Sequence, residues 1–330
     1  MRPHEGDTLS KRSASADWRP GASRQAVEAR ARLLADIRGF FADRGVLEVE
    51  TPILAQAGNS DPNIHSLATD SSRKRYLRTS PEYAMKRLLA SGHENIYELG
   101  RVFRAGEKGQ YHNPEFTLVE WYRSDMGYLD LATEVLALIR HCGRGAFDGW
   151  EERRVAYREL FLEHTGLDPF YCSESELAHC AAERGIHAGP LEHGQWLDLL
   201  LAEVAQPALP GECLTVLCDF PPEQAALARV RPGDPPLAER FEVFVGQLEL
   251  ANGYQELTDA TEQLRRFERE NRLREIRGEA PVPLDSRLLD ALRHGLPECS
   301  GVALGVDRLL MSILKLERIG AVLAFDAEKV

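Results

Sequence analysis

At 330 residues the chain is long enough for about two average domains or one large mixed domain, and its 43% hydrophobic and 28% charged residues exclude collagen-like, coiled-coil and wholly disordered classes. No run approaches the roughly 20 apolar residues of a bilayer span, and the polar start Met1 to Asp7 lacks the apolar region of a secretory signal, so a cytoplasmic protein with no membrane partner is expected. Forty basic against fifty-two acidic side chains leave a net charge of −12, a field that opposes extensive binding of phosphate backbones.

Residues 1–22 are polar and rich in Ser, Arg and Pro, the composition of a flexible tail, and 23–330 are expected to form one folded unit. From Ser23, the apolar residues Val27, Ala31, Leu34, Ile37 and Phe41 mark one stripe of a helix that stops at Gly45. A short strand through Leu47 and Val49 ends at Pro52. Ser80-Pro81-Glu82 reads as the start of a helix that runs to about Ala90. Residues 129–205 alternate helical pattern with loops and carry no motif, Leu214 to Phe220 reads as a buried strand, and the charged helix 261–277 reads as a solvated surface. The elements lack the regular rhythm of a doubly wound parallel sheet, so an α+β fold with an antiparallel sheet flanked by helices is predicted. Six scattered cysteines without CxxC or zinc-ribbon spacing are expected to be reduced and structural.

Three segments carry chemistry. Tyr97 to Tyr122 reads as strand, loop, strand, with Phe116, Leu118, Glu120 and Tyr122 on one face, Thr117, Val119 and Trp121 on the other, and Arg104 at the loop. Taken alone, this pattern also suits a core aromatic and an ion pair between Glu120 and Arg104. In Phe241 to Thr258, Glu242 and Glu249 flank a turn at Gly246-Gln247, after which Asn252, Tyr254 and Glu256 share a face. A bulge at Gly253 would bring Glu249 to the same side. So many carboxylates in apolar strand need partners, which divalent cations or an ammonium substrate would supply. The third segment, Cys299 to Arg308, is a small-residue strand running into a helix, which lets a ligand approach the backbone with Arg308 beside it.

In this order the segments resemble the three signature motifs of class II aminoacyl-tRNA synthetases: a long helix and strand ending at Pro52, the Phe103-Arg104 hairpin, and Gly305-Val306-Asp307-Arg308. Within that class Pro81-Glu82, His112-Asn113-Pro114-Glu115-Phe116 and the run Glu249 to Leu257 are similar to the lysyl enzymes. The resemblance implies ATP as substrate and Mg²⁺ as cofactor. Arg104 and Arg308 would be catalytic, with Arg104 on the α-phosphate, His112 and Asn113 at adenine, Phe116 stacked on it opposite Arg308, and Glu242 and Glu249 on the metal. Glu82, Glu120, Tyr122, Asn252, Tyr254 and Glu256 would line the lysine pocket.

About twenty residues precede the first motif helix, so no anticodon-binding domain and no tRNA partner are expected. The chain is more similar to the stand-alone synthetase paralogues that attach β-lysine to a lysine of elongation factor P. Two details support this: Ala303 stands where the synthetases have glycine, and Arg104-Ala105-Gly106-Glu107 places its glutamate one residue later than their hairpin, so that Glu107 would take over an adenine contact. Preference for β-lysine with weaker use of lysine is the implied specificity. The class also implies a homodimer, across which the stripe Val27 to Phe41 would pack. A truncated synthetase charging an RNA and a non-catalytic synthetase-like regulator remain the alternatives.

Overall fold

A computed structural model describes residues 18–330. Of the expected tail, 1–17 lie outside the described residues, while Gly21 and Ala22 donate backbone hydrogen bonds to Ala324 and Leu323 and belong to the folded unit. The Ser23 hydroxyl caps α1 (Arg24–Ala42), accepting the Ala26 amide at 3.1 Å. Ala26, Ala29, Leu33, Ile37 and Phe40 recur at helical spacing on the buried side. The stripe read from the sequence therefore straddles two faces: Ile37 and Phe41 lie in the protein's own core, and Val27 and Ala31 are exposed.

The chain then forms β1 (Leu47–Glu48), a small ribbon of β2 (Leu54–Ala55) and β3 (Tyr76–Leu77), and α2 (Glu82–Ala90). β4 (Asn95–Phe103) and β5 (Glu115–Ser124) pair as a hairpin, and α3 (Tyr128–Gly143) follows. The stretch without a motif becomes β6 (Glu151–Ala156), α4 (Tyr157–Thr165), α5 (Glu174–Glu183) and α6 (His193–Leu200). Together with β7 (Cys213–Phe220) they bury Tyr157, Phe161, Trp196 and Phe220 in a core of their own. Then come β8 (Val230–Arg231), β9 (Leu237–Val245), β10 (Leu248–Gln255), α7 (Ala260–Ile276), α8 (Ser286–Gly295), β11 (Cys299–Gly305) and α9 (Val306–Leu314).

Among the described residues nine strands form one sheet in the order β1-β4-β5-β11-β10-β9-β7-β6, with β8 on β9. The sheet is antiparallel as expected, apart from the edge pairs β1 with β4 and β6 with β7, which are parallel. Each of those pairs is joined through helices, a connection long enough to return the chain in the same direction. One face of the sheet is packed by α1, α3 and α9, where Phe41 stacks on Tyr97 at 4.3 Å and meets Trp121 edge-on at 5.3 Å. Alternation along the strands puts Val119, Trp121, Val302 and Leu304 on that covered face. Phe116, Glu120, Tyr122, Asn252, Tyr254 and Ala303 are thereby turned to the other.

Two departures from expectation bear on the site. The bulge falls at Leu250, since Glu249 opposes Phe244 while Ala251 opposes Val243. Gly253 is regularly paired, and a Cβ there would lie 2.4 Å from the Phe241 ring, so this glycine serves close packing. The extra residue at 250 still moves Glu249 onto the face of Asn252 and Tyr254. Helix α7 is solvated on one side only. Arg266 donates to the carbonyls of Ala226 and Ala228 at 2.7 and 2.8 Å, and Arg274 to that of Asp61 at 3.1 Å, so its inner side clamps two loops. Among the described residues no helix is long and apolar enough to cross a membrane. All six cysteines are free thiols, five of them buried.

Candidate active site

A cavity of about 290 Å³ opens on the uncovered face of the sheet. Arg104, Glu107, His112, Asn113, Phe116, Glu249 and Arg308 line it, as do Glu82, Glu120, Tyr122, Asn252, Tyr254, Glu256 and Ala303. The one sequence-predicted site residue that does not line it is Glu242. Their contacts sort these groups into a cationic set and an acidic set.

In the cationic set, Arg308 on the first turn of α9 donates to the Glu249 carbonyl at 2.9 Å and the Tyr111 carbonyl at 3.3 Å, and its Nη2 lies 2.6 Å from His112 Nε2. An arginine only donates, so Nε2 accepts and the imidazole is neutral. Burial and then the Arg308 charge lower the His112 pKa in the same direction. Arg104 lies over the Phe116 ring at 5.1 Å and makes only long contacts, 3.4 Å to the Thr79 carbonyl and 3.5 Å to Glu107. Its donors are therefore largely uncommitted, as a phosphate site requires. Asn113 differs from expectation. Its Nδ2 donates to the Glu115 carbonyl at 2.7 Å and its Oδ1 accepts from the Ala327 amide at 3.0 Å. The amide side chain is thus spent in holding the loop, which leaves the backbone for any contact to a base.

The acidic set is deeper. Glu120 accepts from the Ser80 hydroxyl at 2.6 Å and the Tyr122 hydroxyl at 2.8 Å, not from Arg104. Burial and then the charge of Glu82 push its pKa up to about 8. Lys86 Nζ lies 2.6 Å from both Glu82 and Glu256. Burial pushes Glu256 up to about 7 against the opposing pull of Lys86. The Asn252 Oδ1 is buried with no hydrogen-bond partner, which marks a place where a ligand donor is wanted. Gly301 lets this set close up: a Cβ there would sit 2.3 Å from the Tyr122 ring and 2.4 Å from Glu256 Oε1.

Glu242 lies on β9 directly beside Asn252, where it accepts from Arg240 Nη2 at 2.6 Å. Burial raises it to about 7, and the nearby Glu249 adds to the rise. Among the described residues no group of three or more His, Cys, Asp or Glu side chains is arranged to hold a metal. Two neighbouring carboxylates that repel each other fit a cation such as Mg²⁺ that is bound mainly through water and substrate phosphates.

Sequence reasoning missed Lys86, Ser80 as a partner of Glu120, the need for Gly301, and Arg240. Lys86 stands four residues after Glu82, a helical ion-pair spacing that could have been read. It also missed that Asp307 accepts from the Thr117 amide at 2.7 Å and from Arg30 on α1, tying the hairpin, α9 and the first helix together.

Residues 7–329 match the family model described as tRNA synthetases class II (D, K and N). A Yersinia enterocolitica protein named elongation factor P-(R)-beta-lysine ligase is 43% identical over 323 residues, covering 95% of this chain and 98% of its own length. Proteins of the same name from Haemophilus ducreyi and Proteus mirabilis are 43% and 44% identical, each covering 95% of this chain and, respectively, 97% and 98% of their own lengths.

Proposed function

Because the chain belongs to the class II tRNA synthetases (D, K and N) and aligns almost end to end with relatives named as ligases, we propose that it is an ATP-dependent ligase acting on elongation factor P. It activates (R)-β-lysine, and lysine more weakly, as an aminoacyl-adenylate and passes the acyl group to a lysine of that protein. The observation that carries this reading is a single cavity in which Arg104, Arg308 and the His112 imidazole adjoin a deeper acidic set of Glu82, Glu120 and Glu256. Such a cavity suits a polyphosphate beside an amino acid with two ammonium groups.

In the first step a carboxylate oxygen of the amino acid attacks the α-phosphorus and pyrophosphate leaves. Arg104 supplies donors to the α-phosphate where charge develops, and Arg308 and Phe116 flank the adenine. Glu82, Glu120 and Glu256, with the Asn252 carbonyl, hold the two ammonium groups. In the second step the free amine of the acceptor lysine attacks the acyl carbonyl, AMP leaves, and the amine nitrogen gives up a proton. Glu249 and Glu242 would hold Mg²⁺ together with the phosphates, and the ion would offset their negative charge. A homodimer packed through the α1 side of the molecule and a cytoplasmic location complete the reading.

The test is incubation with ATP, labelled β-lysine, elongation factor P and bulk tRNA, followed by separation of protein from RNA. Label is expected on the protein as an amide stable to mild alkali. Label recovered mainly as an alkali-labile tRNA ester would restore the truncated synthetase, and no pyrophosphate exchange with either amino acid would restore the regulator.

A further inference from the structure

Lys86 is a fully buried cation beside the cavity. Its side chain is 1% exposed and is not part of the cavity wall, yet its ammonium lies 2.6 Å from Glu82 of α2 and 2.6 Å from Glu256 just beyond β10. Cys299 of β11 also feels the Lys86 charge, while Glu120 and Tyr122 of β5 act on Glu82 and Glu256, and Glu270 of α7 acts on Glu82. On the same helix Met85 and Leu89 belong to a buried apolar cluster with Phe267 of α7 and Leu288 and Leu292 of α8. Among the described residues Lys86 is the one cation in ion-pair contact with Glu82 or Glu256, so the charge state of these two carboxylates depends on one buried amine.

We infer that Lys86 is a positioning residue that sets the charge of the amino-acid pocket. One ammonium, out of reach of the substrate, ties Glu82 and Glu256 together and cancels one of three carboxylate charges, leaving two to match the two ammonium groups of a diamino acid. The inference rests on the pocket assignment made above and deepens it, because it says why the pocket takes a doubly cationic substrate. Burial alone would lower the Lys86 pKa, but Glu256 and Glu82 outweigh it and keep the amine charged. Glu120, which Lys86 does not touch, is raised further than Glu256, to about 8. A bound ammonium supplies for Glu120 what Lys86 supplies for the other two.

The experiment is the pH profile of 1/KM for β-lysine in pyrophosphate exchange, for wild type, Lys86→Met, Lys86→Gln and Lys86→Arg. Loss of a cation in contact with two carboxylates raises their pKa values by about 1 to 3 units. The two neutral variants are therefore expected to move the profile's midpoint upward by about 1 unit or more and to raise KM for β-lysine at pH 7 about tenfold or more, with KM for ATP within about twofold of wild type. Lys86→Arg keeps the charge and is expected to keep the wild-type midpoint. A folded neutral variant with an unmoved midpoint overturns the inference. Should neither neutral variant fold, the arginine variant decides: an unmoved midpoint supports charge as the role, and a shifted one overturns it. Absence of exchange in the wild-type protein would instead sink the functional reading itself.

Discussion

Ala303 stands directly opposite Glu120 in the ladder between β5 and β11. On its other side Ala303 opposes Asn252 of β10, so one methyl group projects between the carboxylate and the amide that line the proposed amino-acid pocket. A glycine would leave room there for an amine on the α-carbon, while β-lysine carries that amine one carbon farther along. Shape differences of this size discriminate by about 1 to 3 kcal/mol. Ala303→Gly is accordingly expected to narrow the ratio of kcat/KM for β-lysine over lysine about tenfold or more. An unchanged ratio would remove Ala303 as the selector.

Gly301 is the sharper steric site. Since a Cβ there overlaps both the Tyr122 ring and Glu256, Gly301→Ala must displace one of them. Exchange kinetics should show KM for the amino acid raised about tenfold or more, with KM for ATP nearly unchanged. Equal rises for both substrates would mean that the sheet, and not the pocket wall, had been disturbed.

Glu249→Ala tests the proposed metal position. If about 3 to 4 kcal/mol of phosphate charge compensation is lost, adenylation slows by roughly 10² to 10³. Wild-type exchange activity in this variant would discard the metal assignment.

Glu120 gives a stability prediction with a definite sign. Its folded pKa, about 8, lies above the ordinary carboxylate value, so the folded state holds a proton that the unfolded chain has released. Stability is therefore highest below the unfolded pKa and is lost as pH rises toward 8. Glu120→Gln removes that cost. The unliganded variant should melt above wild type at pH 8, by about 2 to 4 °C for each kcal/mol relieved, and lose this advantage by pH 5. Melting scans at the two pH values check it, and an advantage of equal size at both would show that titration is not the cause.

Assembly has a direct check. Val27, Ile53 and Leu54 leave apolar surface exposed around α1 and the β2 ribbon, where the proposed homodimer would pack. Light scattering at micromolar concentration should give twice the chain mass, and Val27→Glu should lower it. A monomeric mass for the wild-type protein rules the dimer out.

Much of this could be read from the sequence because strand alternation is strictly periodic. Phe116, Glu120 and Tyr122 fall on one face by counting in twos, and Asn252, Tyr254 and Glu256 do the same. The helix starts at Ser23 and Pro81 follow from local chemistry. What stayed hidden depends on partners distant in the chain. The Leu250 bulge shows itself only in the register of β10 against β9, and the loss of Asn113 to loop structure requires Ala327. Burial of Phe41 in the monomer depends on Tyr97 and Trp121, and periodicity alone cannot separate a core-facing stripe from an interface.

The position of β11 has a consequence for how the molecule comes into being. It is the last strand along the described chain, yet it lies between β5 and β10 and is the only strand joining the N-terminal part of the sheet to the rest. A nascent polypeptide that has left the ribosome only as far as Leu296 has two separate partial sheets, each with a raw edge where β11 belongs. Gly301, Ala303 and Arg308 arrive with that strand and the helix after it, so the cavity cannot exist in part. Shortened chains ending before Gly305 should therefore be substrates for proteolysis and chaperones rather than weak enzymes.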